Sequence, residues 1–250
     1  MIDPKLVAEI GKKFNLKNEE QFMVNYLTEK VMWIMSSLWL DRLVVKGGTA
    51  IYKFYGGKRF SKDLDIDFLK SNIDIQKETL KKSILEPIMS ELFQEGLKCE
   101  ILQLSLKKKN QIMLSTIKIE SELMSLPVYV GLDIFFTDNL PPNLELQYIS
   151  QYPDIPEFRI KVGTTEYLFE SKLKALFDYS RHQPRDLYDL YFLSRKYGLK
   201  LSKYLSSEKI RELKKIARSL MRYWHDLEEI ILGDVPPRKE VFKVLFGVCE

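Results

Sequence analysis

The spacing of apolar and polar positions divides the chain into a mixed first part and a helical second part. Helical periodicity predicts two helices in the first part, over 18–38 and 75–95, and Asn18 caps the first of them. Strands are predicted from alternation or from short β-branched runs at 42–46, 63–68, 97–106, 112–121, 128–137 and 158–162. A brief helix over 49–55 and a turn at 107–111 connect some of these strands. After residue 163 only helices are predicted, over 166–180, 184–197, 207–231 and 239–246.

This order of elements predicts an α+β protein with two domains. Residues 1–163 would form a mixed β-sheet flanked by helices, and residues 164–250 would form an all-helical C-terminal domain. The 250 residues are sufficient for both, because domains usually contain about 50–250 residues.

Composition excludes several classes of protein. The chain is 45% hydrophobic and 30% charged, as in globular proteins, so disorder, fibrous repeats and a coiled-coil rod are excluded. The longest apolar stretch, 128–136, is too short to cross a bilayer, and no secretory signal follows Met1. Two cysteines and two histidines exclude a disulfide framework or a cysteine zinc site. We therefore expect a cytoplasmic protein that does not contact membranes.

Three acids alternate with apolar residues in the segment Asp63-Leu-Asp65-Ile-Asp67. In a strand their carboxylates project from one face, where they repel one another. A divalent metal is the simplest counter-charge, since hard cations prefer oxygen ligands. An EF-hand is excluded because Phe68 stands where such a loop requires glycine. The alternative is an edge strand that uses charge to prevent aggregation.

Two further features fit such a site. Gly47-Gly48-Thr49 lies between a predicted strand and a predicted helix, where glycines allow a phosphate to approach the helix N-terminus, although a Gly-Gly pair is more often a simple turn. Asp133 is the one charge in an otherwise apolar strand, and Gly131 removes a side chain from the same face. Asp133 is thus a third candidate carboxylate, unless backbone donors satisfy it.

Two charged residues lie on apolar helix faces. Lys172 falls within the apolar arc of its helix, and Asp186 lies on the apolar stripe of the next one. These two residues are expected either to pair with each other or to face a ligand cleft together. Asp186 could also stabilise the first turn of its own helix. Arg181 and Arg185, on either side of the Pro184 turn, could reach phosphates.

The net charge of +4 is unevenly distributed. Residues 202–223 contain two acids and seven bases, which are Lys203, Lys209, Arg211, Lys214, Lys215, Arg218 and Arg222. Such a local excess favours a docking face for an anionic partner, with a solvated helix face as the alternative.

Four sequence blocks between residues 46 and 190 together resemble the AbiEii/AbiGii toxin family of nucleotidyltransferases, which have the polymerase-beta-like fold. The blocks are Lys46-Gly-Gly-Thr-Ala, Arg59-Phe-Ser-Lys-Asp-Leu-Asp-Ile, Glu170-Ser-Lys-Leu-Lys-Ala-Leu and Arg181-His-Gln-Pro-Arg-Asp-Leu-Tyr-Asp-Leu. The family pattern often has serine after the glycines, whereas this chain has Thr49, which keeps the hydroxyl.

The resemblance implies a role for each matching residue. Gly47, Gly48 and Thr49 would hold the triphosphate of an NTP. Asp63 and Asp65 would bind Mg²⁺ or Mn²⁺, with Asp133 as a third carboxylate that activates the acceptor hydroxyl. Lys172 and Asp186 fall at positions linked to nucleotide binding and activity. Arg59, Lys172 and Arg185 would neutralise phosphate charge, and Ser61 matches a serine that is modified in some relatives. Asp67 lies outside the family pattern and is interpreted as peripheral.

The function expected from these residues is metal-dependent transfer of a nucleoside monophosphate from an NTP to an acceptor, with tRNA favoured. The resemblance further implies a toxin with a cognate antitoxin, and the bases between Lys203 and Arg222 would bind the RNA backbone. The alternatives are transfer to a protein or small-molecule hydroxyl, and a non-catalytic module that binds RNA or a partner on the same fold.

Overall fold

The computed structural model describes residues 3–70, 73–107, 111–178 and 182–248. Arg181, residues 179–180 at the end of a predicted helix and residues 108–110 of the predicted turn lie outside these ranges. Contacts between residues divide the chain into two compact units, which are described separately below. The first unit contains Met1–Thr49 and Ser61–Val162, and the second contains Ala50–Phe60 and Gly163–Glu250. The second unit thus includes residues 50–60, which the domain prediction assigns to the first domain.

The described part of the first unit is built on a mixed sheet of seven strands in the order β3-β4-β5-β2-β1-β7-β6. The strands are β1 (Leu43–Lys46), β2 (Asp63–Leu69), β3 (Lys98–Lys107), β4 (Ile112–Glu120), β5 (Val128–Thr137), β6 (Leu144–Ile149) and β7 (Phe158–Gly163). β2 pairs antiparallel with β1 and parallel with β5, so β2 lies in the interior of the sheet. The predicted edge-strand alternative for Asp63, Asp65 and Asp67 is therefore wrong.

The helices of this unit pack against the sheet and against one another. They are α1 (Pro4–Lys13), α2 (Glu19–Trp39), α4 (Lys77–Leu80) and α5 (Glu86–Gln94), with a π-helical turn over Lys81–Leu85 between the last two. α2 begins after Asn18, whose side chain accepts a hydrogen bond from the Gln21 amide at 2.9 Å, as the sequence predicts. α2 is buried on almost every side because α1, α5 and β5 all pack against it.

The described elements of the second unit after residue 163 are helical, as predicted. They are α6 (Thr165–Phe177), α7 (Pro184–Tyr197), α8 (Ser207–Leu220) and α9 (Arg238–Phe246), with 3₁₀ segments at Leu201–Lys203 and Met221–Glu229. The predicted helix over 207–231 is wrong in its second half, because α8 ends at Leu220. The following 3₁₀ segment, Met221–Glu229, is interrupted by non-helical geometry at Tyr223. The remaining helix, α3 (Gly47–Tyr55), begins directly after β1.

The described residues contain no helix long and apolar enough to cross a membrane.

Candidate active site

The acidic strand β2 has one fully buried face and one partly open face. Leu64, Ile66 and Phe68 are completely buried on the first face, which confirms the predicted alternation. Asp63 and Asp65 are only partly buried on the opposite face. The hydrophobic side chains therefore fix the register of β2, and that register determines where the carboxylates lie.

The neighbouring strand β5 places Asp133 on this same face. In the parallel pairing Asp65 is opposite Asp133, and Asp63 is opposite Gly131. A Cβ atom at Gly131 would lie 2.3 Å from Oδ1 of Asp63, so only glycine leaves room for this carboxylate. The structure thus brings together Asp63, Asp65 and Asp133, and it supplies a physical reason for the glycine noted in the sequence. We call this surface the carboxylate face.

The turn from β1 into α3 adjoins the carboxylate face. Gly47 has a φ of +70°, and a Cβ there would lie 2.0 Å from Oδ2 of Asp65. The Thr49 hydroxyl donates a hydrogen bond to the backbone oxygen of Asp63 at 2.6 Å, and Thr49 is 1% exposed. This bond fastens the first turn of α3 to β2, while the first amides of a helix lack intrahelical partners. Gly47 therefore provides both the backbone conformation and the space that this arrangement requires.

Asp67 differs from the other acids of its strand. Its carboxylate forms a buried ion pair with Lys46, with 2.5 Å between Nζ and Oδ1. The Lys46 ammonium also lies 3.5 Å from the centre of the Phe135 ring, where a cation is favoured. Asp67 is thus occupied by a structural partner, in keeping with its interpretation as peripheral.

The chemistry of the carboxylate face fits a hard divalent cation. Adjacent strands are about 4.8 Å apart, so the side chains of Asp65 and Asp133 start side by side. Within the described ranges, no three acidic, histidine or cysteine side chains converge as a ready-made metal cage. Mg²⁺ does not need such a cage, because it is commonly held by one or two carboxylates together with substrate phosphates. The space kept by Gly47 and Gly131 around two of these carboxylates is consistent with that mode of binding.

The second unit contains a different group of charges, which we call the buried ion-pair cluster. Lys172 on α6 contacts Asp186 at 2.7 Å and Asp189 at 2.8 Å, both on α7. Arg59 donates two hydrogen bonds to Asp189, at 2.9 and 2.8 Å. Of the two arrangements expected for Lys172 and Asp186, direct pairing is thus confirmed. Two cations and two anions balance in the interior of this unit.

The pKa values in the cluster follow from this balance. Burial by itself would lower the pKa of Lys172, but Asp189 and Asp186 outweigh it and raise the pKa above its ordinary value. Burial would raise the pKa of Asp189, yet Arg59 and Lys172 lower it to about 2. Both residues are therefore charged at neutral pH, and each stabilises the charge of the other.

One atom of the cluster has no hydrogen-bond partner within the described residues. Oδ2 of Asp186 is buried and accepts no bond there, although Oδ1 accepts one from Lys172. A buried carboxylate oxygen without a donor is costly, so this atom is available to a donor supplied by a ligand.

Asp189, which bridges Arg59 and Lys172, was not among the site residues predicted from the sequence. Its position three residues after Asp186 puts both acids on one face of α7, and that spacing was the available signal. Arg59 was predicted to neutralise phosphate charge, but in the structure it is buried against Asp189. Arg185 is half-buried in the first turn of α7, and Ser61 is half-buried just before β2.

Residues 202–223, which carry the local excess of bases, form an exposed surface of the second unit. All of its seven bases except the half-buried Lys214 are exposed. On α8 the apolar side is buried through Leu213, Ile216, Ala217 and Leu220. The opposite side carries a line of exposed bases at helical spacing, continued just after the helix, which we call the basic stripe: Arg211, Lys215, Arg218 and Arg222.

A mixed sheet with acids on one face of β2 and β5, and a helix that begins directly after β1, defines a protein of the nucleotidyltransferase class. The family model of the nucleotidyl transferase AbiEii toxin, type IV toxin–antitoxin system, matches residues 33–237. The chain belongs to this family and is a nucleotidyltransferase, which confirms the family predicted from the four sequence blocks.

Two solved structures have the same fold. A Helicobacter pylori protein assigned as a nucleotidyltransferase is 20% identical, with a TM-score of 0.62 over 91% of this chain and 92% of that protein. JHP933 from Helicobacter pylori is also 20% identical, with a TM-score of 0.60 over 92% of this chain and 90% of its own. At this identity the likeness shows the fold alone, and it confirms the predicted α+β fold. A comparison with curated proteins gave no match.

Proposed function

We propose that the protein transfers a nucleoside monophosphate from an NTP to the end of an RNA, with tRNA as the favoured acceptor, in a reaction that requires Mg²⁺ or Mn²⁺. The observation that carries this proposal is the carboxylate face, where Asp63, Asp65 and Asp133 share one side of the sheet next to the start of α3. Membership of the AbiEii family supports a toxin role with a cognate antitoxin.

Each residue of this face has a distinct part in the proposed reaction. Asp63, Asp65 and Asp133 would hold the metal, which supplies charge neutralisation for the phosphates when bound. The amides at the start of α3, around Gly47, Gly48 and Thr49, would bind the triphosphate oxygens. Thr49 positions them, because its hydroxyl ties the helix to the backbone of Asp63.

The bond changes are those of nucleotidyl transfer. The acceptor hydroxyl oxygen attacks the α-phosphorus, the bond between this phosphorus and the bridging oxygen breaks, and pyrophosphate leaves. Asp133 also takes the proton of the acceptor hydroxyl, since a carboxylate has a second oxygen that can act as a general base. No covalent intermediate with the protein is required.

The buried ion-pair cluster supports a second part of the proposal. Lys172 and Asp186 would contribute to nucleotide binding, and the unpartnered Oδ2 of Asp186 would accept a hydrogen bond from a nucleotide hydroxyl or amine. Arg59 and Asp189 would hold Lys172 in place through their own ion pair. Arg185 would add positive charge for the phosphates, and Ser61 remains a candidate modification site.

The RNA acceptor is favoured by the basic stripe. Its four exposed bases follow one side of α8 and the turn after it, as a phosphate backbone would require. A small-molecule acceptor would have no use for such a surface, and a protein acceptor is separated from RNA by the experiment below.

The test is incubation of the purified protein with Mg²⁺, each labelled NTP in turn and total tRNA. We expect label to enter RNA with the wild type and not with Asp65→Asn. The matched control is Asp41→Asn, whose side chain is 93% exposed, and it should transfer label normally. Equal transfer by Asp65→Asn would disprove the assigned site, and label found on protein instead of RNA would disprove the acceptor.

A further inference from the structure

An open groove of about 750 Å³ lies in the second unit, between α6 and the segment 203–209 that leads into α8. Its volume is within the range of about 300–1,000 Å³ that is typical of small-ligand sites. Phe177 and Tyr204 form part of its wall, and Lys174, Lys203 and Lys209 are exposed at its rim. We call it the aromatic groove. Flat apolar walls beneath a basic rim are the combination that binds the bases and phosphates of single-stranded nucleic acid.

The hydroxyl of Tyr204 adds an unsatisfied hydrogen-bonding group to the wall of the groove. This oxygen is buried and has no hydrogen-bond partner within the described ranges. The Tyr204 ring is held 5.0 Å from the Phe169 ring, so its position is fixed by packing. Burial, with Glu166 and Glu170, raises the pKa of Tyr204 above its ordinary value, so the phenol is protonated and can donate. Buried polar groups normally have partners, so a missing one points to a ligand.

The charges around the groove suit a phosphate-bearing chain. Three lysines outnumber the two acids of the lining, Glu170 and Asp178. Lys209 lies on α8, the helix that carries most of the basic stripe, so one helix serves both surfaces. Its ammonium is 4.9 Å from the centre of the Phe177 ring and 2.8 Å from Glu212, contacts that an incoming phosphate can exchange.

We propose that the aromatic groove binds one unstacked base at the single-stranded end of the RNA acceptor. The base contacts Phe177 and Tyr204, its polar edge pairs with the Tyr204 hydroxyl, and the rim lysines contact the flanking phosphates. A duplex cannot enter, because its bases are stacked and their edges paired. This inference rests on the proposed function for the identity of the acceptor and adds the surface that recognises it.

The test measures RNA binding by the full chain with neither NTP nor divalent metal present. The probe is a fluorescein-labelled single-stranded RNA of about eight nucleotides, a length that one such site can cover. We expect Tyr204→Phe to weaken binding about fivefold through the loss of one hydrogen bond. Phe177→Leu should weaken it about tenfold through the loss of aromatic contact. Tyr148→Phe, at a tyrosine that is 62% exposed in the first unit, should bind like the wild type.

Thermal unfolding separates a ligand site from a structural role. The Tyr204 hydroxyl has no partner within the described ranges, so Tyr204→Phe should keep or raise the melting temperature. A lower melting temperature of Tyr204→Phe, or unchanged RNA affinity of both groove variants, would overturn the inference. So would binding of a duplex or a mononucleotide that the groove variants weaken as much as they weaken binding of the single strand.

Asp65→Asn separates this inference from the proposed function, because it should abolish transfer and leave RNA affinity unchanged. If the wild type binds the RNA through the groove without transferring label to it, the proposed function fails and the groove assignment stands. If transfer to RNA occurs and the groove variants bind normally, only the groove assignment fails.

Discussion

The carboxylate face and the buried ion-pair cluster treat charge in opposite ways. The carboxylate face brings together acids of one sign and leaves Asp63, Asp65 and Asp133 partly exposed. The buried cluster contains two cations and two anions in mutual contact, and every member is at most 8% exposed. Like charges in proximity cost stability, whereas the buried pairs depend on one another for theirs. The first group is therefore arranged for a ligand. The second stabilises its own unit, and Oδ2 of Asp186 is the atom through which we propose that it also contacts a nucleotide.

The largest effect should come from neutralising an acid of the carboxylate face. We expect Asp63→Asn to slow nucleotidyl transfer about a thousandfold, because a metal contributes several kcal/mol of transition-state stabilisation. The melting temperature should be unchanged or higher, since one of several like charges has been removed. The Thr49 hydrogen bond survives, because it goes to the backbone of residue 63. Label incorporation and thermal unfolding measure the two effects.

The matched control lies on the same strand. Asp67→Asn breaks the buried pair with Lys46, so this variant should lose stability and still transfer label at nearly the wild-type rate. If instead Asp67→Asn abolished transfer as fully as Asp63→Asn, Asp67 would have a catalytic role, and our assignment of this acid to a structural ion pair with Lys46 would be wrong.

The second-largest effect should be a loss of stability when a charge is removed from the buried ion-pair cluster. Asp189→Asn should destabilise the protein by about 3 kcal/mol, because it leaves Arg59 and Lys172 with one carboxylate between them in a buried site. Urea unfolding followed by tryptophan fluorescence measures the difference. Asp41→Asn, at a surface ion pair, should change stability by less than about 1 kcal/mol. An Asp189→Asn variant as stable as Asp41→Asn would show that the cluster does not support its unit.

The parts of the fold that could be predicted are those that depend on residues close to one another in the sequence. The Asn18 cap, the alternation in β2 and the helix α7 are local, and all three are confirmed. α1 (Pro4–Lys13) and the edge strand β6 (Leu144–Ile149) were not predicted. The apolar residues of β6 alternate with polar ones, but they do not mark a buried face of the strand. Leu146 and Tyr148 point to solvent and are 46% and 62% exposed.

The candidate site likewise contains parts that local sequence predicts and parts that it does not. Spacing predicted that Asp63, Asp65 and Asp67 share one face of their strand, and that Gly131 and Asp133 share one face of theirs, since period-two geometry acts over a few residues. The pairing that brings the two strands side by side was not predicted. Lys172 and Asp186 could be paired because both interrupt apolar helix faces. Arg59 and Asp189 are 130 residues apart in sequence, and nothing local to either one specifies the other. Contacts of this kind depend on tertiary packing, which a single sequence does not display.

The smallest of these effects is a dependence of stability on acid pH that Asp189 of the buried cluster contributes. Burial raises the pKa of Asp189, but Arg59 and Lys172 outweigh it and lower this pKa from 3.8 to about 2. A lowered carboxylate pKa adds stability above the unfolded-state value, and this stability is lost as the pH falls from about 4 towards about 2. At 1.36 kcal/mol for each pKa unit, the contribution is about 2 kcal/mol. Lys172 has a raised pKa, so it stays charged throughout this range.

The measurement is urea unfolding of the wild type and of Asp189→Asn at several pH values between about 5 and about 2. The stability difference between the two proteins should shrink by about 2 kcal/mol as the pH falls, because protonation gives the wild type the neutral group that the variant already has. A stability difference for Asp189→Asn that is constant with pH would mean that Asp189 contributes to the cluster by packing and not by charge.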